Sequence, residues 1–210
     1  MALSSEKEGY NIHLSNTPTM KTAIALTLLA ATATAAPLSE LIQHDPRLAD
    51  FHYTLAQSNV DLSGPGPFTI FAPVNGAFTE SLGMSQSKFK TVQSDSSKLN
   101  TMMQYHIVPG QALKKQDFPS VVKTLVNGQT LEIQKDPTSN QVTILDAACG
   151  AGTLVDHDIV ADNGILHLVD SAFVPQGTFC PDTVFATEGT KYDRYITGKY
   201  SKRRRSKCSL

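Results

Sequence analysis

The chain has 210 residues, 40% hydrophobic and 18% charged, with no tryptophan and a formal net charge of −1. That length suits one domain with tails, and the near-average composition excludes general disorder and a multi-span membrane protein. Six of the eighteen basic side chains sit in the C-terminal KYSKRRRSK, which leaves residues 1–198 at −7; a nucleic-acid-binding fold would spread positive charge over a folded face, so that class is excluded too.

From Met20, MKTAIALTLLAATATAAP has the layout of a secretory signal: Lys21 is the positive start, Ala23 to Ala30 the apolar run, and Ala33-Thr34-Ala35 the small-residue cleavage site. The run is too short to span a bilayer. The expected organisation is an upstream extension over 1–19, a signal peptide over 20–35, a domain over 38–175, and a C-terminal extension with a basic tail over 176–210. A short buried helix is the competing reading of 20–35. In an oxidising compartment Cys149 and Cys180 could pair, leaving Cys208 unmatched; three free thiols in a reducing cell is the alternative.

Leu38, Leu41 and Ile42, then Leu48, Phe51 and Leu55, step by three and four residues, which predicts two helical segments divided by Asp45-Pro46. SGPGP at 63–67 is a turn-rich joint. FTIFAPVNGAF at 68–78 begins as a buried strand; Pro73 removes a ladder donor, Asn75 and Gly76 supply turn-compatible backbone, and Ala77, Phe78 and Leu82 start a helix. Leu99, Met102, Met103 and His106 share one helix face, so His106 points inward, and Val108-Pro109-Gly110 closes that helix in a turn. KTLV and QTLEIQ flank Asn127-Gly128 as a tight hairpin, and DPTSN turns the chain into QVTIL. After the turn CGAG, VDHDIVAD and ILHLVDSAFVP form a last hairpin around Asn163-Gly164. Helices first and hairpins last predict an α+β domain.

His106 and His167 are the side chains best suited to acid–base or metal chemistry. Among apolar neighbours, however, a histidine is better explained as a neutral ring donating to a backbone carbonyl, because charging it there is costly. VDHDIVADNG gathers Asp156, His157, Asp158 and Asp162, but strand alternation puts Asp156 and Asp158 on one face and His157 on the other. The glycine and terminal glutamate of a helix-loop-helix calcium site are missing. The sequence also lacks a G-x-S-x-G elbow, a CxxC pair, an H-E-x-x-H and a phosphate-binding glycine loop, so no metal, no cofactor and no enzymatic activity are expected.

In the tail, Lys202, Arg203, Arg204 and Arg205 read as a solvated charge run, as a contact for an anionic polysaccharide or lipid surface, or as a basic processing site. Cys208-Ser209-Leu210 is one residue short of a prenylation box, and no apolar terminal stretch supports a GPI anchor. Neither a transmembrane nor a GPI anchor is expected, and the chain is expected to be secreted.

FTIFAPVNGAF, MMQYHIVPG and NGILHLVDSAFVP, in that order and spacing, resemble the signature segments of fasciclin-like domains. The resemblance spans roughly Leu38 to Pro175. It implies a β-sandwich or wedge of hairpin strands flanked by several short helices, in a non-enzymatic protein of cell adhesion or of matrix and cell-wall contact. It further implies a binding role for Tyr105, His106, Asp158 and Ile159 toward a surface protein or a matrix or cell-wall polysaccharide; a purely structural role for all four is the alternative. An exposed carboxylate beside a hydrophobe combines charge attraction with apolar burial. The Met- and Phe-rich interior also allows a second function, carriage of a small apolar ligand between sheet and helices. Phe68, Ile70, Phe71, Phe78, Ile165, Leu168 and Phe173 are expected to share one interior.

Overall fold

The computed structural model describes residues 35–81, 85–148 and 150–176. Helices come first: α1 (Leu38–His44), a 3-10 turn (Pro46–Leu48) and α2 (Ala49–Ala56) precede strand β1 (Phe68–Pro73), after which α3 (Ala77–Ser81), α4 (Gln86–Gln93) and α5 (Ser96–Tyr105) lead into β2 (Ile107–Pro109). A 3-10 turn at Lys115–Asp117 then introduces β3 (Val121–Lys123), β4 (Thr130–Lys135), β5 (Val142–Leu145), β6 (Ala151–Ala161) and β7 (Gly164–Val169). Asp45 starts the first 3-10 turn by accepting the Arg47 N–H at 2.9 Å, and Asp95 caps α5 by accepting the Lys98 N–H at 3.2 Å.

The strands lie in the order β2-β1-β7-β6-β5-β4-β3. Among the described residues only β1 and β7 are paired in parallel, from Phe68↔Gly164 to Pro73↔Val169. Such a pair needs cover on both faces, and all six residues of β7 are buried. The long β6 changes partner midway: residues 151–153 pair with β5, and 154–161 with β7. At the other end the Leu125 N–H donates to the Ile107 carbonyl at 2.8 Å. These two links fold the sheet into a wedge.

Alternation along β1 and β7 therefore feeds two apolar clusters, not the single interior expected from the sequence. Ile70, Ala72, Leu166 and Leu168 face the helices and pack with Leu38, Ile42, Phe51, Phe78, Leu99 and Met102. Phe71 and Val169 face the wedge, with Tyr105, Phe118, Leu131, Ile133, Ile144 and Phe173. Each large side chain so buried is worth about 1.5–3 kcal/mol.

Several local readings change. Val108 and Pro109 belong to a strand paired with β1, and the turn falls at Gly110, whose φ is 75°. The first hairpin is looser than expected: β3 ends at Lys123, and Thr124 N–H donates to the Gln129 carbonyl at 3.1 Å across a six-residue connection. In the second hairpin Ala161 faces Gly164, so Asp162 and Asn163 make the turn and Gly164 opens β7. A Cβ on Gly164 would overlap the Phe68 carbonyl oxygen, so its glycine serves close strand approach rather than turn geometry. Cys149, Cys180 and Cys208, the signal segment and the basic tail lie outside the described residues.

The corner after β1 also acquires a second purpose. Asn75 accepts the Asp50 N–H at 3.0 Å and donates to the Pro46 carbonyl at 2.8 Å, while Gly76, at φ 81°, donates its N–H to Asp50 Oδ2 at 2.9 Å. The turn thus clamps the start of α2 onto the sheet.

Candidate functional site

The four candidate binding residues fall into two groups. Tyr105 and His106, at the end of α5, are fully buried, whereas Asp158 and Ile159, in the middle of β6, are partly exposed. The Tyr105 hydroxyl donates to the Thr130 carbonyl at 2.8 Å and accepts the Ala147 N–H at 3.0 Å. His106 Nδ1 lies 2.8 Å from the Met102 carbonyl, and its Nε2 accepts the Phe173 N–H at 2.9 Å. Those two bonds define the tautomer: the proton is on Nδ1. Burial, outweighing the opposing pull of the Met102 carbonyl, pushes the His106 pKa down to about 4, so the ring is neutral at physiological pH.

His167 is held in the same manner from the other side of the fold. Its Nε2 donates to the Leu113 carbonyl at 2.8 Å, and Nδ1 accepts the Asp158 N–H at 3.2 Å. The ring stacks on Phe71 at 5.6 Å and meets Phe118 edge-on at 4.9 Å. Burial lowers its pKa against the opposing pull of the Leu113 carbonyl and Asp158. The neutral, carbonyl-bonded role expected of both histidines describes what these rings do, and His106 points inward as its helix face predicts.

Around Asp158 the strict alternation expected of β6 fails. Register shifts fall between Leu154 and Asp156 and between Asp156 and Ile159, and Asp158 adopts φ 62°, a bulge that redirects side chains. Asp158 Oδ1 accepts the Lys115 N–H at 2.7 Å, and Oδ2 lies 3.1 Å from His157 Nδ1. Burial alone would raise the Asp158 pKa; the Lys115 N–H, His157 and His167 together outweigh it and leave the pKa lowered. Asp156 instead reaches Arg47, whose Nη1 donates to its Oδ2 at 2.9 Å while Nη2 holds Asp45 at 2.7 Å. Arg47 is raised in pKa by these two carboxylates. Such partly exposed pairs contribute about 0–1 kcal/mol each, so their work is to fix the bulge against the turn before α2.

Beside this junction lies an open groove of about 730 Å³ between α1 and the β6–β7 pair. Leu41, Ile159 and Leu166 line it, with Glu40, His44 and Arg47 among its polar members. Val155 and Val160 of β6 are 53% and 56% exposed. The structure thus sets Asp158 against His167 and Ile159 against α1, and leaves Tyr105 and His106 inside. Arg47 escaped the sequence reading; the run Asp45-Pro46-Arg47, with a capping acid two residues before an arginine, was its one local signal. Among the described residues no group of three or more His, Cys, Asp or Glu side chains could hold a metal ion, and no helix is long and apolar enough to cross a membrane.

The helix-flanked sheet wedge has a solved counterpart. The fold is similar to that of a FAS1 domain pair from the insect cell adhesion molecule Fasciclin I, with a TM-score of 0.59 and 14% identity over 69% of this chain and 53% of that one. Residues 47–175 match the Fasciclin domain family, and the chain belongs to it. It is 27% identical to human periostin over 143 residues and 26% identical to mouse stabilin-2 over 134 residues. The matches cover 67% and 63% of this chain but only 16% of periostin and 5% of stabilin-2. The immunogenic protein MPB70 of Mycobacterium bovis is 27% identical over 118 residues, 55% of this chain and 54% of that protein.

Proposed function

We propose that this chain is a secreted, non-enzymatic recognition module that attaches to a surface protein or to a matrix or cell-wall polysaccharide. Asp158 and Ile159 on the β6 bulge form the contact, and Tyr105 and His106 support it from within. The carrying observation is that Ile159 lines an open groove while its neighbour Asp158 is fixed by Lys115 and His167. Membership of the fasciclin family and the fold shared with an insect cell adhesion molecule support this reading. The signal-like segment from Met20 supports export, the Cys149–Cys180 pair would close in that compartment, and the basic run Lys202 to Arg205 adds affinity for anionic surfaces. A surface coated with the purified chain should retain cells or wall polysaccharide above an unrelated secreted protein, and Ile159→Ser should reduce retention several-fold. No retention above that control, or retention indifferent to Ile159→Ser, refutes the reading.

The groove also favours a second reading, carriage of a small apolar ligand, because its volume falls within the roughly 300–1,000 Å³ typical of ligand sites. Native mass spectrometry of the purified chain should then show a co-purifying lipid or small molecule; a bare protein mass excludes it.

A further inference from the structure

The chain contains three Asn-Gly pairs, at 75–76, 127–128 and 163–164. A glycine leaves the backbone nitrogen after the asparagine without a shielding side chain, so in an unfolded chain each nitrogen can attack the neighbouring side-chain amide. Folding treats the three differently. At 75–76 both ends of the Asn75 amide are bonded, to Asp50 N–H and the Pro46 carbonyl, and the Gly76 N–H is held by Asp50 Oδ2. At 163–164, Asn163 accepts the Leu38 N–H at 3.0 Å and donates to the Leu62 carbonyl at 2.8 Å and the Gly64 carbonyl at 3.2 Å. Its Gly164 is enclosed between β1 and β6.

Asn127 is the exception. It is exposed in the connection between β3 and β4, and neither its side chain nor the Gly128 N–H takes a hydrogen-bond partner among the described residues. Gly128 sits at φ 77° with no atom beyond its two chain neighbours within 4 Å of where a Cβ would stand. The amide and the nitrogen that attacks it are both free, with open space for ring closure.

We propose that Asn127 is a site of spontaneous, fold-selected deamidation. The Gly128 nitrogen bonds to Asn127 Cγ and gives up its proton, and the amide nitrogen leaves as ammonia, forming a five-membered succinimide. Water then opens the ring at one of its two carbonyls and leaves either aspartate or isoaspartate; no electrons are transferred and water is the sole co-reactant. Both products place a new carboxylate beside the Gln129–Gln176 contact, where Gln129 Oε1 accepts the Gln176 N–H at 2.8 Å. Isoaspartate also adds a methylene to a backbone connection whose Leu125 N–H closes the wedge on Ile107.

The test incubates the purified full chain at mildly alkaline pH and maps its peptides by mass, with enzymatic methylation of isoaspartyl carboxylates as a second readout. In the native chain the Asn127 peptide should convert at least about tenfold faster than those carrying Asn75 or Asn163, because reaction there requires local opening. In urea the three should converge. Asn127→Gln should remove most of the methyl uptake by the native chain and leave its thermal unfolding unchanged. Equal native rates at the three pairs, an unconverted Asn127 peptide, or methyl uptake undiminished in Asn127→Gln overturns the proposal.

Discussion

Lowering the pH tests the buried histidines directly. His106 has a folded pKa of about 4 against an ordinary 6.5. As pH falls from about 6.5, the unfolded chain takes up the proton first, so stability declines through this window and levels off once the folded ring is also protonated near pH 4. At about 1.4 kcal/mol per pH unit of separation, the full cost is about 3 kcal/mol, and His167, lowered for the same reason, adds to it in the same direction. Carboxylates with lowered pKa, such as Asp45, lose stability only as pH falls through 3.8 and below, so the histidine effect is separable. Urea unfolding followed by circular dichroism between about pH 7 and pH 4 measures it. His106→Gln should be less stable than wild type at about pH 7, by about 1–3 kcal/mol, because Gln cannot satisfy both the Met102 carbonyl and the Phe173 N–H. Its stability should also fall less steeply with acid. Identical slopes in the two proteins, or a wild-type stability flat across this range, would refute the burial argument.

Three substitutions probe other joints of the fold by chemical denaturation. Asn163→Ala removes the acceptor of the Leu38 N–H and the donor to two carbonyls, and should cost about 3 kcal/mol, a loss below about 1 kcal/mol contradicting the geometry. Gly164→Ala drives a methyl group toward the Phe68 carbonyl and the Leu38 side chain at 2.8 Å, so it should separate β7 from β1 and cost about 4 kcal/mol or more, seen as loss of soluble folded protein. Tyr105→Phe keeps the buried ring but loses the hydroxyl that joins Thr130 to Ala147; about 1–2 kcal/mol should be lost with the spectrum of the native fold intact.

The elements that were legible in the sequence are those whose signal is local. The three- and four-residue steps around Asp45-Pro46 give α1 and α2, and the apolar run after the Gly-Pro joint gives β1. Helix α4 escaped because Phe89 and Val92 are the apolar residues in its eight, too few for a stripe, although Phe89 is buried against Phe78 at 5.1 Å. Strand β2 escaped because Pro109-Gly110 reads as a turn, while pairing with β1 makes Ile107 to Pro109 a strand edge. Gly164 shows the same limit: the Asn-Gly signal found the hairpin, but only the approach of Phe68 explains why glycine stands there.

The site was less legible because its determinants lie far apart in the chain. Asp156 meets Arg47 across 109 positions, and Asp158 meets Lys115 across 43. No local rule places an aspartate at positive φ; the shift in β6–β7 register does, and three hydrogen-bonding groups around Asp158 hold it there. The two histidines explain how such a bulge can be specified by a greasy interior. Each ring bonds through both nitrogens to backbone groups: His106 joins the Met102 carbonyl to the Phe173 N–H, and His167 joins the Leu113 carbonyl to the Asp158 N–H. A phenylalanine would fill the same space but orphan four backbone groups, at about 1–3 kcal/mol for each one left buried. The imidazoles are therefore cross-braces. Because His167 fixes the backbone of Asp158 from within, the adjoining Ile159 is presented to the groove by the core itself, and the groove wall inherits the rigidity of the wedge.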